Sequence, residues 1–378
     1  MRNRLLQPLL ATAMVLGACQ ASPDASSAAP ASASKPFEAR EVASFGTPWA
    51  MQFLPGRGNQ ALVTEKDGKL WLVDAGSGQR KEVTGIPAPY VAGQGGLGDV
   101  IVHPDFANNR RVYLTWVEAG PNGTSGAAMG YGQLVDTGGT MSLMDFRTVW
   151  RQNPKVEGNG HFSHRMAFGP DGFLYLTSGE RQKFEPAQDL SGNLGKVLRL
   201  TAEGQPAPGN PFASRGRVSA EIWSYGHRNL LGLAFDAQGR LWESEMGPEG
   251  GDEVNLIAAG KNYGYPRASN GSHYGGKDIP DHKPGDGFEA PKVWWTPSIS
   301  PGSLMIVRGD KYPGWNGDAL VGALSGEALI RVDLDGDKAA KADEWPMGGR
   351  IREVEEAPDG TIYLLEDKGR LLRLDPVK

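Results

Sequence analysis

Apolar and polar positions along the chain repeat one motif: an apolar strand, a short turn of Pro, Asp, Asn or Gly, then a second, alternating strand. Six copies are visible, centred on FLPGRGNQALVTEKDGKLWLVD (53–74), VIVHPDFANNRRVYLTWV (100–117), MAFGPDGFLYLTSGE (166–180), LAFDAQGRLWESEMG (233–247), KYPGWNGDALVGAL (311–324) and VEEAPDGTIYLLEDKGRLLRLD (354–375). Their spacing leaves room for four strands apiece, the size of a propeller blade, and six such units fit between Phe37 and Lys378. The pattern therefore predicts an all-β chain, a six-bladed β-propeller with its site at one mouth of the central channel. A two-sheet sandwich would also contain such hairpins, but it offers no reason for a repeat whose later strand runs into chemically loaded residues each time.

Composition agrees with many short strands and tight turns. The 378 residues include 53 Gly and 27 Pro, and 39% are hydrophobic, enough for one large core. No change of composition interrupts 38–378, which is expected to be one catalytic domain. The stretches 120–130, 183–190 and 267–290 are rich in Gly, Pro and polar residues and read as loops lining a channel mouth.

The amino terminus reads differently. Arg2 and Arg4 precede an apolar run from Leu9 to Gly17 that is too short to span a bilayer, so 1–18 is read as an export signal. Cys19, the chain's one cysteine, directly follows Leu16-Gly17-Ala18 and resembles the lipid-attachment cysteine of bacterial lipoproteins. Residues 19–37 are almost all small or polar and read as a disordered tether. A periplasmic protein anchored to the outer membrane is expected, with Gln20 favouring that sorting by analogy. Loss of the leader removes two positive charges and takes the net charge from −5 to −7, which argues against nucleic acid and for a small-molecule ligand.

Candidate chemistry crowds the ends of these hairpins. In 221–266, Leu231 to Phe235 turns through Ala237-Gln238-Gly239 and returns as Arg240 to Ser244. This brings His227, Arg228 and Asn229 to face the loop Gly247-Pro248, Gly250-Gly251-Asp252-Glu253, a ligand cradle of cation, amide and carbonyls. The stretch Gly93 to Asp99 is glycine-rich but lacks the lysine and helix of a phosphate loop, so it presents Gln94 rather than binding a nucleotide. His161 precedes the third repeat and Glu180 ends its second strand, a pairing suited to a general base. The HxxH spacing of His161 and His164 lacks the helical HExxH context of a zinc site, and His164 reads as a satisfied loop or core histidine. Alternation places Arg350 and Arg352 on one strand face, where two guanidinia can hold an anionic ligand. Trp294 and Trp295 read either as core aromatics or as a stacking wall for a sugar.

These pieces together, GQGGLG at 93–98, the His161 segment, GHRN at 226–229, GPEGGDEVN at 247–255, NYGYP at 262–266 and RIRE at 350–353, resemble the soluble quinoprotein sugar dehydrogenases, most closely their aldose sugar dehydrogenase branch. The resemblance runs from about residue 45 to the end. It implies a six-bladed propeller that uses pyrroloquinoline quinone and calcium (Ca2+) to oxidise an aldose at its anomeric hydroxyl and then passes electrons to an acceptor. It implies His161 as general base, Glu180 as its orienting carboxylate and Arg228 as the cation at the reacting carbonyl. Quinone contacts fall on Gln94, Arg228, Asn229, Arg350 and Arg352. The carbonyls of Gly247 and Pro248 fall at the calcium beside the quinone, and Glu253 and Tyr263 at a further calcium. The family has a lysine where Ser325 stands, so weaker quinone binding is expected. A calcium-dependent propeller lactonase and a non-catalytic propeller that has lost its quinone are the competing readings.

Overall fold

The computed structural model describes residues 34–377. The expected signal at 1–18, Cys19, and the tether as far as residue 33 lie outside the described residues.

Six antiparallel blades occupy 48–84, 97–151, 163–225, 229–295, 301–346 and 351–376, and each predicted repeat falls in a different one. Their innermost strands, Pro48–Phe53, Leu97–Val102, Ser163–Phe168, Asn229–Phe235, Pro301–Ile306 and Ile351–Glu356, contact one another in a closed ring around the channel. The ring is shut by the first strand, Phe37–Ser44, which pairs antiparallel with the last, Arg370–Pro376, as the fourth strand of blade six. One expectation needs correcting. The stretch 120–130 is mostly not a loop but runs into Thr124–Thr137, a largely buried 14-residue strand. Its glycines are there for close packing: a Cβ on Gly130 would sit 2.3 Å from the Arg147 carbonyl oxygen, and one on Gly126 would strike the Lys155 stem.

Apolar residues on both faces of a blade are needed because each blade is covered on both sides. Ala61 and Val63 of blade one pack against Tyr363 and Leu365 of blade six, while Leu62 between them joins Leu97, Leu114 and Trp116 of blade two. The same division recurs at the other four interfaces, so the core is six slabs rather than one centre.

Threonines bolt successive blades together. Thr64, Thr115 and Thr177 each accept an inner-strand N–H of their own blade, from Ala50, Asp99 and Arg165. Each then donates to a carbonyl of the next blade, at Gly98, His164 and Leu230. Every inner strand also carries a register shift near its start, which frees side chains there to turn into the channel.

Arg165 plugs the channel. Its guanidinium lies 4.1 Å from the Trp49 ring centroid and donates to Asp99, Glu353 and the carbonyls of Leu231, Gly302 and Arg352. One side chain of blade three thus touches all five other blades. It divides the channel into a lower cavity of about 760 Å³ and an upper one of about 330 Å³. The lower is lined by the ends of the inner strands, the upper by their beginnings.

Candidate active site

In an antiparallel blade, the residue before the inner strand and the residues after the second strand meet at the same end. Each blade therefore offers the upper mouth two positions. His161, Arg228 and Arg350 stand just before inner strands of blades three, four and six. Glu180, the pair Gly247 and Pro248, and Ser325 stand just after the second strands of blades three, four and five.

His161 and Glu180 are joined as the sequence implied. Nδ1 of His161 lies 2.5 Å from Glu180 Oε1, and both side chains are buried. The other carboxylate oxygen accepts the N–H groups of Lys183 and Phe184 at 2.6 and 2.8 Å. Burial alone would raise the Glu180 carboxyl, but its bonds to His161 and the Phe184 N–H, with the Arg228 charge, bring it below its ordinary value. An ionised Glu180 accepts from Nδ1–H and leaves Nε2 as the imidazole's basic nitrogen. Burial is the largest influence on His161 and outweighs Glu180, so the imidazole sits below its ordinary value and is neutral near pH 7.

The backbone around this pair is held in costly shapes. His161, Ser163, His164, Arg181, Gln182 and Phe184 all have φ between 49° and 62°, a region that costs a non-glycine residue of order 1–3 kcal/mol. Arg181 clamps the segment, donating to the carbonyls of Gly160, Ser125 and Gly158 with its guanidinium over Phe162. Gln94 contributes from the glycine-rich turn: its side-chain oxygen accepts the His161 N–H at 2.7 Å. The glycines of that turn serve close approach, since a Cβ on Gly98 would fall 1.9 Å from the His164 ring. His164 itself stacks on Trp49 and bonds Thr115, and burial pushes it down to about 3, as befits a core histidine.

The upper cavity is lined by Gln94, Asn229, Arg350, Arg352, Ser300 and Lys66 among others. Arg350 and Arg352 do share a face, and both bond Asp367, which the sequence reading missed. Ser325 bonds the Ser300 hydroxyl and the Ser298 carbonyl. Arg228 donates through Nη1 to the carbonyls of Met246 and Gly247, while its buried Nε has no partner in the protein. The loop after Gly247 is drawn in by Asp252, which accepts the Gly247 N–H with one oxygen and the N–H groups of Ile299 and Ser300 with the other.

Behind Arg228 lies a buried acidic cluster. Glu245 accepts the Arg228 N–H at 2.5 Å, and Asn255 reaches Glu243, Glu245 and Glu253. Burial, then the neighbouring Glu245 charge, pushes Glu243 and Glu253 well above their ordinary values. Oxygens of Glu243 and Asn255 are buried without a partner, and ligand atoms of His227, Glu243 and Glu245 lie within 4.8 Å of one another. Such hard oxygen donors suit calcium. His227 is already bonded to Ser224 and Glu245 and stacked under Tyr263, whose hydroxyl is committed to the Leu256 and Ala258 backbone. The sequence pointed to Glu253 and Tyr263 here but not to Glu243, Glu245 or Asn255. Their signal was alternation, which puts 243 and 245, and 253 and 255, on one sheet face.

Trp295 corrects an expectation. It is 5% exposed in the core between blades four and five, with Lys341 over its ring, so it is a packing residue and not a sugar-stacking wall.

A buried histidine–carboxylate pair thus stands at one mouth of a six-bladed propeller, bonded through Gln94 to a cavity lined by Lys66, Arg350 and Arg352. The glucose/sorbosone dehydrogenase family model matches residues 45–373, and the chain belongs to that family; it is an oxidoreductase of the sugar dehydrogenase class. It is 40% identical over 337 residues to aldose sugar dehydrogenase YliI of Escherichia coli (strain K12), across 87% of this chain and 90% of the relative. The apo-form of the soluble Escherichia coli aldose sugar dehydrogenase superposes with a TM-score of 0.85 at 39% identity, covering 90% of this chain and all of that one. The pyrroloquinoline quinone (PQQ)-bound aldose sugar dehydrogenase of Streptomyces coelicolor superposes at 0.74 with 31% identity, covering 92% and 99%.

Proposed function

We propose that this enzyme oxidises the anomeric C1 hydroxyl of aldose sugars to the lactone, using pyrroloquinoline quinone and calcium at the upper mouth. The observation that carries the reading is the His161–Glu180 base beside a cavity bearing Gln94, Asn229, Arg350 and Arg352. The orphaned Arg228 Nε and the unpaired buried oxygens of Glu243 and Asn255 fit an anionic cofactor and a cation respectively.

When bound, the quinone would accept the hydride of C1, with calcium as the Lewis acid beside its carbonyl. Gln94, Arg228, Asn229, Arg350 and Arg352 would hold the quinone. Gly247 and Pro248 would offer backbone carbonyls to the calcium beside it, and Glu243, Glu245, Glu253 and Asn255 would hold a further calcium. His161 Nε2 takes the anomeric hydroxyl proton, which relieves the positive charge that builds on C1 as hydride leaves. Glu180 stabilises the resulting imidazolium through Nδ1–H, and Arg228, whose buried Nε is unpartnered, would supply a positive charge to the bound quinone. The hydrolase reading would need a metal open to water, whereas Glu243, Glu245 and Glu253 are buried.

Reconstitution tests this reading. Added quinone and calcium should produce a cofactor absorbance that bleaches when an aldose is added. Calcium alone should raise the melting temperature in a concentration-dependent way, because it binds the folded state. Absence of both the bound absorbance and the calcium shift would overturn the assignment.

The electrons pass on to a separate acceptor, and Cys19 is proposed to be lipidated and to anchor the enzyme to the outer membrane, facing the periplasm. Mass spectrometry of the mature protein should find a diacylated Cys19 at its amino terminus. An unmodified chain starting elsewhere excludes the anchor.

A further inference from the structure

The turn after the second strand supplies the mouth with Glu180, with Gly247 and Pro248, with Ser325 and with Asp367. In blade one that position belongs to Lys66, directly after Gln60–Glu65, and the mechanism above leaves it idle. We infer that Lys66 is a binding residue for a carboxylate of the quinone, supplying from blade one the cation that Ser325 lacks in blade five. This deepens the quinone reading and rests on it.

Three observations carry the assignment. Lys66 lines the same 330 Å³ cavity as Gln94, Asn229, Arg350 and Arg352, and so do Ser300 and Leu324, the neighbours of Ser325. Its ammonium is also held at the rim. The Lys66 stem fills the space a side chain would take at Gly96, since a Cβ there would meet Lys66 Cγ at 2.4 Å, and Nζ donates to the Gly93 carbonyl at 2.7 Å. One N–H of three is thereby spent on a neutral acceptor, and two remain.

The third observation is charge. Arg350 and Arg352 share the carboxylate of Asp367, so this pair brings one net positive charge to the cavity. Lys66 forms no ion pair among the described residues: its neighbour Glu65 accepts from Gly46 and from the Trp71 indole, and Asp67 is paired with Lys69. A cavity wall with an uncompensated, pre-positioned ammonium attracts an anion, and pyrroloquinoline quinone carries three carboxylates. A carboxylate entering this cavity makes a charge-assisted bond to Lys66 at little ordering cost, because the stem is already packed.

The test is quinone titration in calcium, read as quenching of intrinsic tryptophan fluorescence and as cofactor absorbance, with no sugar present. Lys66→Met should weaken binding about 10- to 100-fold, and Lys66→Arg should stay within about 3-fold of the parent. Higher salt should weaken the parent more than Lys66→Met. Because Lys66→Met also removes the bond to Gly93, a second cation separates charge from loop support: Ser325→Lys in the Lys66→Met background should recover most of the lost affinity. A parent that binds quinone with Lys66→Met equally tight would overturn the inference and leave the quinone reading intact. Loss of affinity with no recovery by Ser325→Lys would likewise overturn it, assigning Lys66 to loop support. A parent that binds no quinone would instead sink the cofactor assignment itself.

Discussion

His161→Gln is expected to lower kcat for sugar oxidation by about 10²–10⁴-fold, the usual worth of a positioned base, with quinone affinity unchanged. The side chain is buried against Glu180, and glutamine is close to it in size, so the folded state should survive. Single-turnover reduction of bound cofactor by sugar measures the step directly, and a variant as fast as the parent would place the base elsewhere. The pH profile adds a second reading. Burial holds His161 below its ordinary value, so the acid limb of kcat/KM should fall below pH 6.5. Glu180 opposes that shift by hydrogen bond and charge, so Glu180→Gln should move the limb lower still while reducing the plateau rate. An upward move would contradict the geometry. His164 is a poor control for these experiments: stacked on Trp49 and bonded to Thr115, its replacement disturbs the core.

Arg165→Met is expected to be the most damaging single change to the fold, costing about 3–5 kcal/mol at pH 8, the range for removing one partner of a buried ionic network. Asp99 and Glu353 would be left buried without their counter-charge, and the carbonyls of Leu231 and Gly302 without their donor. The loss should shrink towards pH 5. Burial already pushes Glu353 up to about 7 despite Arg165. A carboxyl raised in the folded state binds a proton that the unfolded chain has released, so its contribution to stability falls as pH rises from about 4.5 through the folded pKa. Removing Arg165 raises that pKa further and widens the window, so the deficit grows with pH. Urea unfolding of parent and variant at pH 5 and pH 8 reads this out. A deficit below about 1 kcal/mol at pH 8, or one equal at both, would mean that the plug is not an electrostatic hub.

The blade architecture was legible in the chain because its cause is local. A strand covered on both faces needs apolar residues at odd and even positions, and a turn needs glycine, proline or a short polar residue, so ALV before TEKDG or LYL after PDG announces itself without any partner. The same locality made His161, Glu180, Arg228 and the Arg350–Arg352 pair visible, since each stands beside a strand end. Glycine misled at 124–130, where it signalled a loop and instead made room for neighbouring chain. Trp295 was not legible because an aromatic residue at a strand end reads the same in a core as in a ligand wall.

What only the tertiary structure decided are pairings between strands of one blade and between blades. Asp367 beside Arg350 and Arg352, Asp252 holding the 298–300 turn, and Arg165 reaching Asp99, Glu353 and Trp49 each join residues that alternation within one strand does not relate. Lys66, which lines a cavity shared with blades four, five and six, belongs with them. Periodicity specifies which face of a strand is buried; closing six blades into a ring specifies which charges then meet at its axis, because only closure brings the ends of distant strands within hydrogen-bonding distance.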